Sequence, residues 1–342
     1  MSQIRIFFVT NRNYQPDNKR LVFGAHFNGD GVAALRFGHA SFTVDDKTPK
    51  LDKVFVYPEQ LEGTAKKVEG SSSFLDDLKA MMQNGNRDTI VYIHGFNVDF
   101  VEALTAGARL AHDIAVDGKP VNVVVFTWPS DGMMVPKMSY YSDREDARAS
   151  GPAIARAFLK LRDFVAALDD KDYCGQRLHL LAHSMGNYVL RNGLQALIAK
   201  DKDSLVRLFD QIILAAADED DDAFELDAKL RLLPRIGREV TLYYNPHDLA
   251  LVISDKTKAN PDRLGSDGPR MIDLLPKKVS LVDCRNVKSH GDKLVRHSYY
   301  LNSAATRADL GAVLNGVDPE LIGNRQYILA KRAYRIERDP AA

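Results

Sequence analysis

The chain has 342 residues, with 46 Lys plus Arg against 46 Asp plus Glu, 45% hydrophobic residues and 27% charged ones. A zero net charge without a basic stripe excludes holding nucleic acid by phosphate contacts, and the hydrophobic share excludes wholesale disorder and allows one large α/β domain or two domains. The longest apolar stretches, at residues 121–128 and 212–217, fall well short of the roughly 18 residues that span a bilayer. The apolar run at the start, Ile6 to Val9, is too short for a signal-peptide core, and Cys174 and Cys284 stand in no Cys-x-x-Cys context. These features predict a cytoplasmic protein with no stable membrane association, no disulfide framework and no zinc cluster.

In chain order, residues 1–87 contain a strand at 4–9 and further extended stretches at 21–27 and 54–57, with Gly- and Pro-punctuated loops between them. A turn in the serines at 71–73, followed by Leu75 and Leu78, begins a helix that runs through Met82. This part is predicted to be an amino-terminal extension packed on the edge of a sheet. From residue 88 to 317, β-branched runs alternate with helical patterns. Strands are predicted at 89–93, 121–126, 178–182, 211–216, 240–244 and 279–282, with helical stripes at Val101, Leu104, Ala108 and Ala111 and at Leu190, Leu194, Leu197 and Ile198. Strands apolar on both faces with helices between them imply a mostly parallel sheet covered on both sides. Its chemistry belongs in the turns beyond the carboxyl ends of the strands. Residues 224–236 read as a helix, either a cap or the covering helix of a βαβ unit. Residues 318–342 read as a charged tail with a disordered end.

The sequence Leu180-Leu181-Ala182-His183-Ser184-Met185-Gly186-Asn187 lies between a strand and a helix. A serine nucleophile projects from such a turn only if the positions two before and two after it are small, and Ala182 and Gly186 are. The serine also lands at a helix amino terminus, where developing negative charge is favoured. Upstream, Ile93-His94-Gly95-Phe96-Asn97 ends another strand. Acyl transfer needs two backbone N–H donors for the oxyanion, one just after the nucleophile and one from an upstream loop; Met185 and Phe96 supply them. His94 reads as a structural histidine.

Two places offer the acid. Asp248 follows a strand and a Pro turn, and Asp218 opens the acidic run 218–222; Asp248 has the better setting for a carboxylate held partly buried beside an imidazole. The acidic run otherwise reads as a solvated loop or helix start. His290 and His297 both lie beyond the strand at 279–282. His290 sits in a Ser-His-Gly-Asp turn, so His297, just before a helical pattern, is preferred as base. Trp128, Tyr140, Tyr141, Tyr299 and Tyr300 stand where they would either wall a substrate site or pack the core.

These residues resemble the α/β-hydrolase superfamily and, within it, the bacterial esterase/lipase-like family DUF900. The resemblance is carried by Phe8-Val9-Thr10-Asn11-Arg12, Phe37 to Ser41, Val91 to Asn97, Phe126 to Ser130 with Gly132, and Tyr141 with Asp143, Arg144, Glu145 and Ala147. It continues through Ala182 to Asn187, Leu214 to Asp218 with Phe224, Tyr243 to Leu251 with Ser254, Arg263 to Gly265, and His297 to Tyr300. Asn11 stands where related sequences often carry Asp. The resemblance implies an α/β-hydrolase fold with Ser184 as nucleophile, Asp248 as acid and His297 as base, and names no substrate. The expectation is therefore a serine hydrolase acting on a small-molecule carboxylic ester or related acyl compound, with Phe96 and Met185 as oxyanion donors, Trp128 and Tyr141 beside the substrate, and neither metal nor organic cofactor. An acyltransferase with the same triad, or a non-catalytic binding protein on the same fold, are the alternatives.

Overall fold

The computed structural model describes residues 2–17, 22–45, 48–58, 70–130, 136–169, 173–251, 262–289 and 295–337, with the backbone alone at 136–139. Gly132, Ser254, His290 and the last five residues of the chain lie outside them. The chain opens with β1 (Ser2–Thr10), β2 (Arg12–Tyr14), β3 (Phe23–Phe27), β4 (Arg36–Asp45), β5 (Thr48–Val56) and α1 (Gly70–Gly85). It continues with β6 (Thr89–Ile93), α2 (Phe100–Asp113), the short pair β7 (Ala115–Val116) and β8 (Lys119–Pro120), β9 (Asn122–Thr127), α3 (Pro136–Ala149) and α4 (Gly151–Ala166). Then come β10 (Leu178–His183), α5 (Gly186–Lys200), β11 (Phe209–Ala215), β12 (Gly237–Tyr244), α6 (Leu264–Asp267), β13 (Val279–Asp283), α7 (Tyr299–Asn302), α8 (Ala304–Leu314), β14 (Arg325–Ile328) and β15 (Ala333–Ile336).

Eleven of these strands form one sheet in the order β14-β15-β13-β12-β11-β10-β6-β9-β1-β4-β5. Pairing is parallel from β15 to β1 and antiparallel at both margins, β14 on β15 and β4 on β1 and β5. The central strands are buried on both faces because their residues are apolar on both. In β9, Val124 and Phe126 join the layer under α1, α4 and α5, while Val123 and Val125 join the layer under α2 and α8. α2 starts where its sequence predicts: Asp99 Oδ1 accepts from the Glu102 amide at 2.7 Å and Glu102 Oε2 from the Asp99 amide at 2.9 Å, a reciprocal cap. Among the described residues no helix is long and apolar enough to cross a membrane.

Three findings differ from the expectations. Residues 224–236 form turns and a single 3-10 turn (Leu233–Arg235), neither a cap helix nor a covering helix. The apolar spacing there buries Phe224, Leu230, Leu233 and Ile236 in the core without a helix to present them. The stretch taken for a free tail is built into the sheet through β14 and β15. A buried ion pair holds it: Arg325 Nε and a terminal guanidinium nitrogen each reach Asp309 of α8 at 2.7 Å, and Asp309 also accepts from the Tyr243 hydroxyl at 2.7 Å. Lastly, residues 136–166 hold two helices where no element is predicted above; Pro152 in the first turn of α4, with Ala155 and Phe158 buried behind it, is their sign in the sequence.

Removing one partner of a buried, paired charge leaves the other uncompensated. Arg325→Met is therefore expected to cost about 3–5 kcal/mol of unfolding free energy, read as a lower urea midpoint, and the Asp309→Leu, Arg325→Met double variant should recover part of that loss.

Candidate active site

Ser184 joins β10 to α5 with its backbone in the left-handed region, φ +53°. For a residue with a Cβ this costs roughly 1–2 kcal/mol, so the surroundings must hold it. The Ser184 amide donates to Ala215 O at 3.0 Å, and its carbonyl accepts from the Asn187 and Asp218 amides at 3.0 and 3.2 Å. The Asn187 side-chain nitrogen adds a third donor to that carbonyl at 3.0 Å and also reaches Ala182 O at 3.1 Å and Ala215 O at 3.4 Å. Asn187 is wholly buried and its Oδ1 has no partner among the described residues. An unpaired buried acceptor costs about 1–3 kcal/mol, so the side chain is held there for its donor end.

Two close approaches require glycine. A Cβ on Gly186 would stand 2.5 Å from Ile93 O and 2.6 Å from His94 O, and one on Gly95 would stand 2.9 Å from Ser184 Cβ. The Gly95-Phe96 turn thus lies directly against the serine. Among the described residues neither the Phe96 amide nor the Met185 amide donates to a protein acceptor, and Met185 stands at the amino terminus of α5, the positive end of the helix dipole.

The turn carrying Phe96 is tied from several sides. Asn97 is itself left-handed at φ +57°, and its amide donates to Asp143 Oδ2 at 3.2 Å. Ser130 Oγ donates to the same oxygen at 2.5 Å and accepts from the Val98 amide at 3.2 Å. The buried Arg12 guanidinium bonds Val98 O and Thr127 Oγ1, each at 2.8 Å. His94 Nε2 accepts from the Trp128 amide at 3.2 Å, which leaves the proton on Nδ1, donated to Gly95 O at 2.8 Å. Burial, then the nearby Arg12 charge, push the His94 pKa down to about 3, so it is a neutral structural histidine. Trp128 is wholly buried, stacked on His94 at 5.2 Å between ring centres. It props this turn from inside, which corrects the expectation that it walls a substrate site: its ring was consumed by the stacking.

His297 Nδ1 lies 2.7 Å from Asp248 Oδ2. Asp248 is buried, and its other oxygen accepts from the Ala250 and Leu251 amides at 3.1 and 3.3 Å. Bonding to the carboxylate fixes the proton on Nδ1. The His297 ring centre is 4.7 Å from that of His183, the residue before Ser184. His183 packs on Tyr300 at 4.6 Å and its Nε2 donates to His297 O at 3.4 Å. Burial and the adjacent His297 hold its pKa well below the usual 6.5.

Of the two candidate acids, the structure brings Asp248 to His297 and turns Asp218 elsewhere, where it accepts from the Tyr140 hydroxyl at 2.7 Å and lies 3.7 Å from Arg263 Nε. The acidic run is not a solvated loop. Asp218, Glu219 and Asp221 are buried, Glu219 pairs with Arg191 at 3.0 Å, and Asp220 pairs with Arg263 at 2.6 Å and Lys229 at 2.8 Å. Two of its partners, Arg191 and Arg263, come from remote parts of the chain, so the run reads as solvated in sequence. Tyr299 and Tyr300 are core residues, and Tyr141 is 47% exposed with its ring 6.0 Å from that of Tyr140. Sequence reasoning gave no role to Asn187, Arg12, Ser130, Asp143 or His183. Their signs were that each is polar in a segment that must be buried and that each lies within the motifs that carry the family resemblance.

A strand-turn-helix serine, an Asp–His pair beyond later strands and a parallel sheet with helices on both faces together define an α/β hydrolase fold. The family described as alpha/beta hydrolase of unknown function (DUF900) matches residues 71–325, and the chain belongs to it. No curated protein matches the chain. Among solved structures, the peroxisomal alpha-beta-hydrolase Lpx1 from Saccharomyces cerevisiae is similar at 8% identity, with 96% of this chain and 94% of that one covered and a TM-score of 0.30, too slight a likeness to carry an argument.

Asn187→Ala should slow covalent capture of Ser184 by a fluorophosphonate about 10–100-fold, because a serine displaced by a fraction of an ångström is poorly aimed. Circular dichroism checks that the fold is kept. The depressed histidines set a second expectation. Below pH 6.5 the unfolded chain protonates His94 and His183 while the folded chain keeps them neutral. Stability therefore falls as pH drops through that value, by roughly 1.4 kcal/mol per pH unit for each group. Urea unfolding between neutral pH and about pH 5 measures the slope, which His183→Gln should flatten.

Proposed function

We propose that the protein is a serine hydrolase that cleaves a carboxylic ester or related acyl compound through an acyl-enzyme intermediate. The observation that carries this is the 2.7 Å pairing of a buried Asp248 with His297, one residue's packing away from a serine held in a left-handed turn. His297 takes the Ser184 proton through Nε2 as the oxygen attacks the acyl carbon, and Asp248 holds the tautomer and stabilises the imidazolium. The Phe96 and Met185 amides stabilise the oxyanion as the carbonyl oxygen gains charge. His297 then gives its proton to the leaving alcohol, and a water deprotonated by the same imidazole releases the acid.

The surroundings of the pair favour an apolar substrate group. Leu249 follows Asp248 and Val295 precedes His297 by two residues; they are 48% and 40% exposed, and the Leu249 amide donates a hydrogen bond to Val295 O at 2.9 Å. Exposed apolar residues beside two polar catalytic groups suit a substrate with an alkyl or aryl portion.

Ser184→Ala should abolish both hydrolysis of short aryl esters and labelling by a fluorophosphonate; labelling that persists in the variant would remove Ser184 from the reading. Asp248→Asn should lower turnover by up to about 10⁴-fold, and Asp218→Asn far less; the reverse order, measured as kcat on one aryl ester, would transfer the acid to Asp218.

A further inference from the structure

Between the sheet and helices α1, α4 and α5 lies a cavity of about 100 Å³ that is partly open to the surface. Its walls are apolar side chains such as Val9, Leu78, Phe126, Phe158, Leu180 and Leu194. Lys160 is the only charged residue in them, and its ammonium is turned onto Ser71 Oγ at 2.9 Å. A water needs two or more polar partners, whereas an apolar void of about 150 Å³ stays dry and takes up benzene. An occupant of this cavity is therefore hydrocarbon.

The cavity adjoins a second one of about 380 Å³, and Leu75, Leu78, Leu161, Leu178 and Phe209 wall both. The second is different in chemistry, with Lys79, Arg177, Arg207 and Arg238 in its walls against a single carboxylate, Asp210. Arg177 is engaged by Asp88 at 2.8 Å and Arg238 by Asp210 at 2.6 Å. Arg207 is exposed and makes no ion pair or hydrogen bond among the described residues. An apolar pocket that shares a wall with a cation-rich one matches a molecule with an alkyl chain and an anionic head. Leu178 and Phe209 begin β10 and β11, so the second cavity lies toward the end of the sheet opposite Ser184.

We propose that the two cavities form one binding site for a medium-chain carboxylate, with its alkyl chain along the shared apolar wall, the chain end in the smaller cavity and its carboxylate at Arg207. The site does not depend on Ser184 acting as a nucleophile, so either reading can fail alone. Binding is read on the full chain by equilibrium dialysis of radiolabelled decanoate and its displacement. Expected are saturable binding retained in Ser184→Ala and displacement by decanoate well ahead of butyrate. Leu78→Trp, which fills the shared wall, should weaken binding about tenfold. Arg207→Glu should weaken decanoate about fivefold and leave decanol unchanged. Loss of binding after fluorophosphonate labelling would place the probe at Ser184 and overturn the proposal. So would equal competition by butyrate, or full binding by a folded Leu78→Trp protein. If Leu78→Trp does not fold, the decanoate-to-decanol ratio of Arg207→Glu, a surface change, decides alone: an unchanged ratio overturns the proposal.

Discussion

The carbonyl of Ser184 points into the protein and receives three N–H groups, from the Asn187 backbone, the Asn187 side chain and the Asp218 backbone. Each such bond contributes on the order of 1 kcal/mol, enough together to offset the left-handed backbone that turns the serine upward. Other requirements follow from holding this turn. Gly186 must lack a side chain because the carbonyls of Ile93 and His94 pass within touching distance, and Gly95 must lack one because the serine itself is there. The Gly95-Phe96 turn is consequently fixed relative to Ser184 by contact, and Asp143, Ser130 and Arg12 need only hold its far side.

The second half of the site is braced by aromatic residues. His297 leads directly into α7, and the next residue but one, Tyr299, donates its hydroxyl to Tyr243 O at 2.9 Å while accepting from the Ala216 amide at 3.1 Å. Tyr243 and Ala216 lie at the carboxyl ends of β12 and β11, the strands beside the serine turn. Tyr300 bonds Tyr92 of β6 at 2.8 Å and packs on His183. The histidine loop is thus pinned to three strand ends. Parallel pairing brings those ends to one edge of the sheet, so residues 184, 248 and 297, remote in sequence, converge there.

This division explains what could be read in advance. The sheet, the serine turn and the Asp248–His297 pair follow from local patterns: β-branched runs, small residues flanking a serine, and a polar residue just past a strand. The clasp by Asn187 and the burial of Asp218 to Asp221 do not, because a polar side chain reads as exposed until its partner is known. Glu219 needs Arg191, and Asp220 needs Lys229 and Arg263; no window of sequence holds these together. Residues 224–236 failed for the opposite reason. Their apolar spacing is helical, yet burying Phe224, Leu230 and Leu233 satisfies it equally well in turns. The margin at β14 and β15 was hidden because Arg325 and the other charges there looked solvated, when Arg325 is the partner of a buried Asp309.

Three imidazoles surround the serine turn, and only His297 has a carboxylate. On the proposed mechanism His297 becomes an imidazolium during each proton transfer, with His183 4.7 Å away between ring centres. Two unit charges at that separation repel by about 3–4 kcal/mol at an effective dielectric constant near 20, more than a hundredfold in rate. His183 must therefore be neutral when His297 is not. Its position achieves this without any partner charge: packing on Tyr300 removes it from water, and that burial outweighs the Nε2–H bond to the His297 carbonyl, which favours the charged form. The contact that keeps His183 uncharged is also the one that fixes the His297 loop. Loosening it would admit water to His183, raise its affinity for protons and release the base together, so the pH range over which the site works is set by packing as much as by the Asp248–His297 pair.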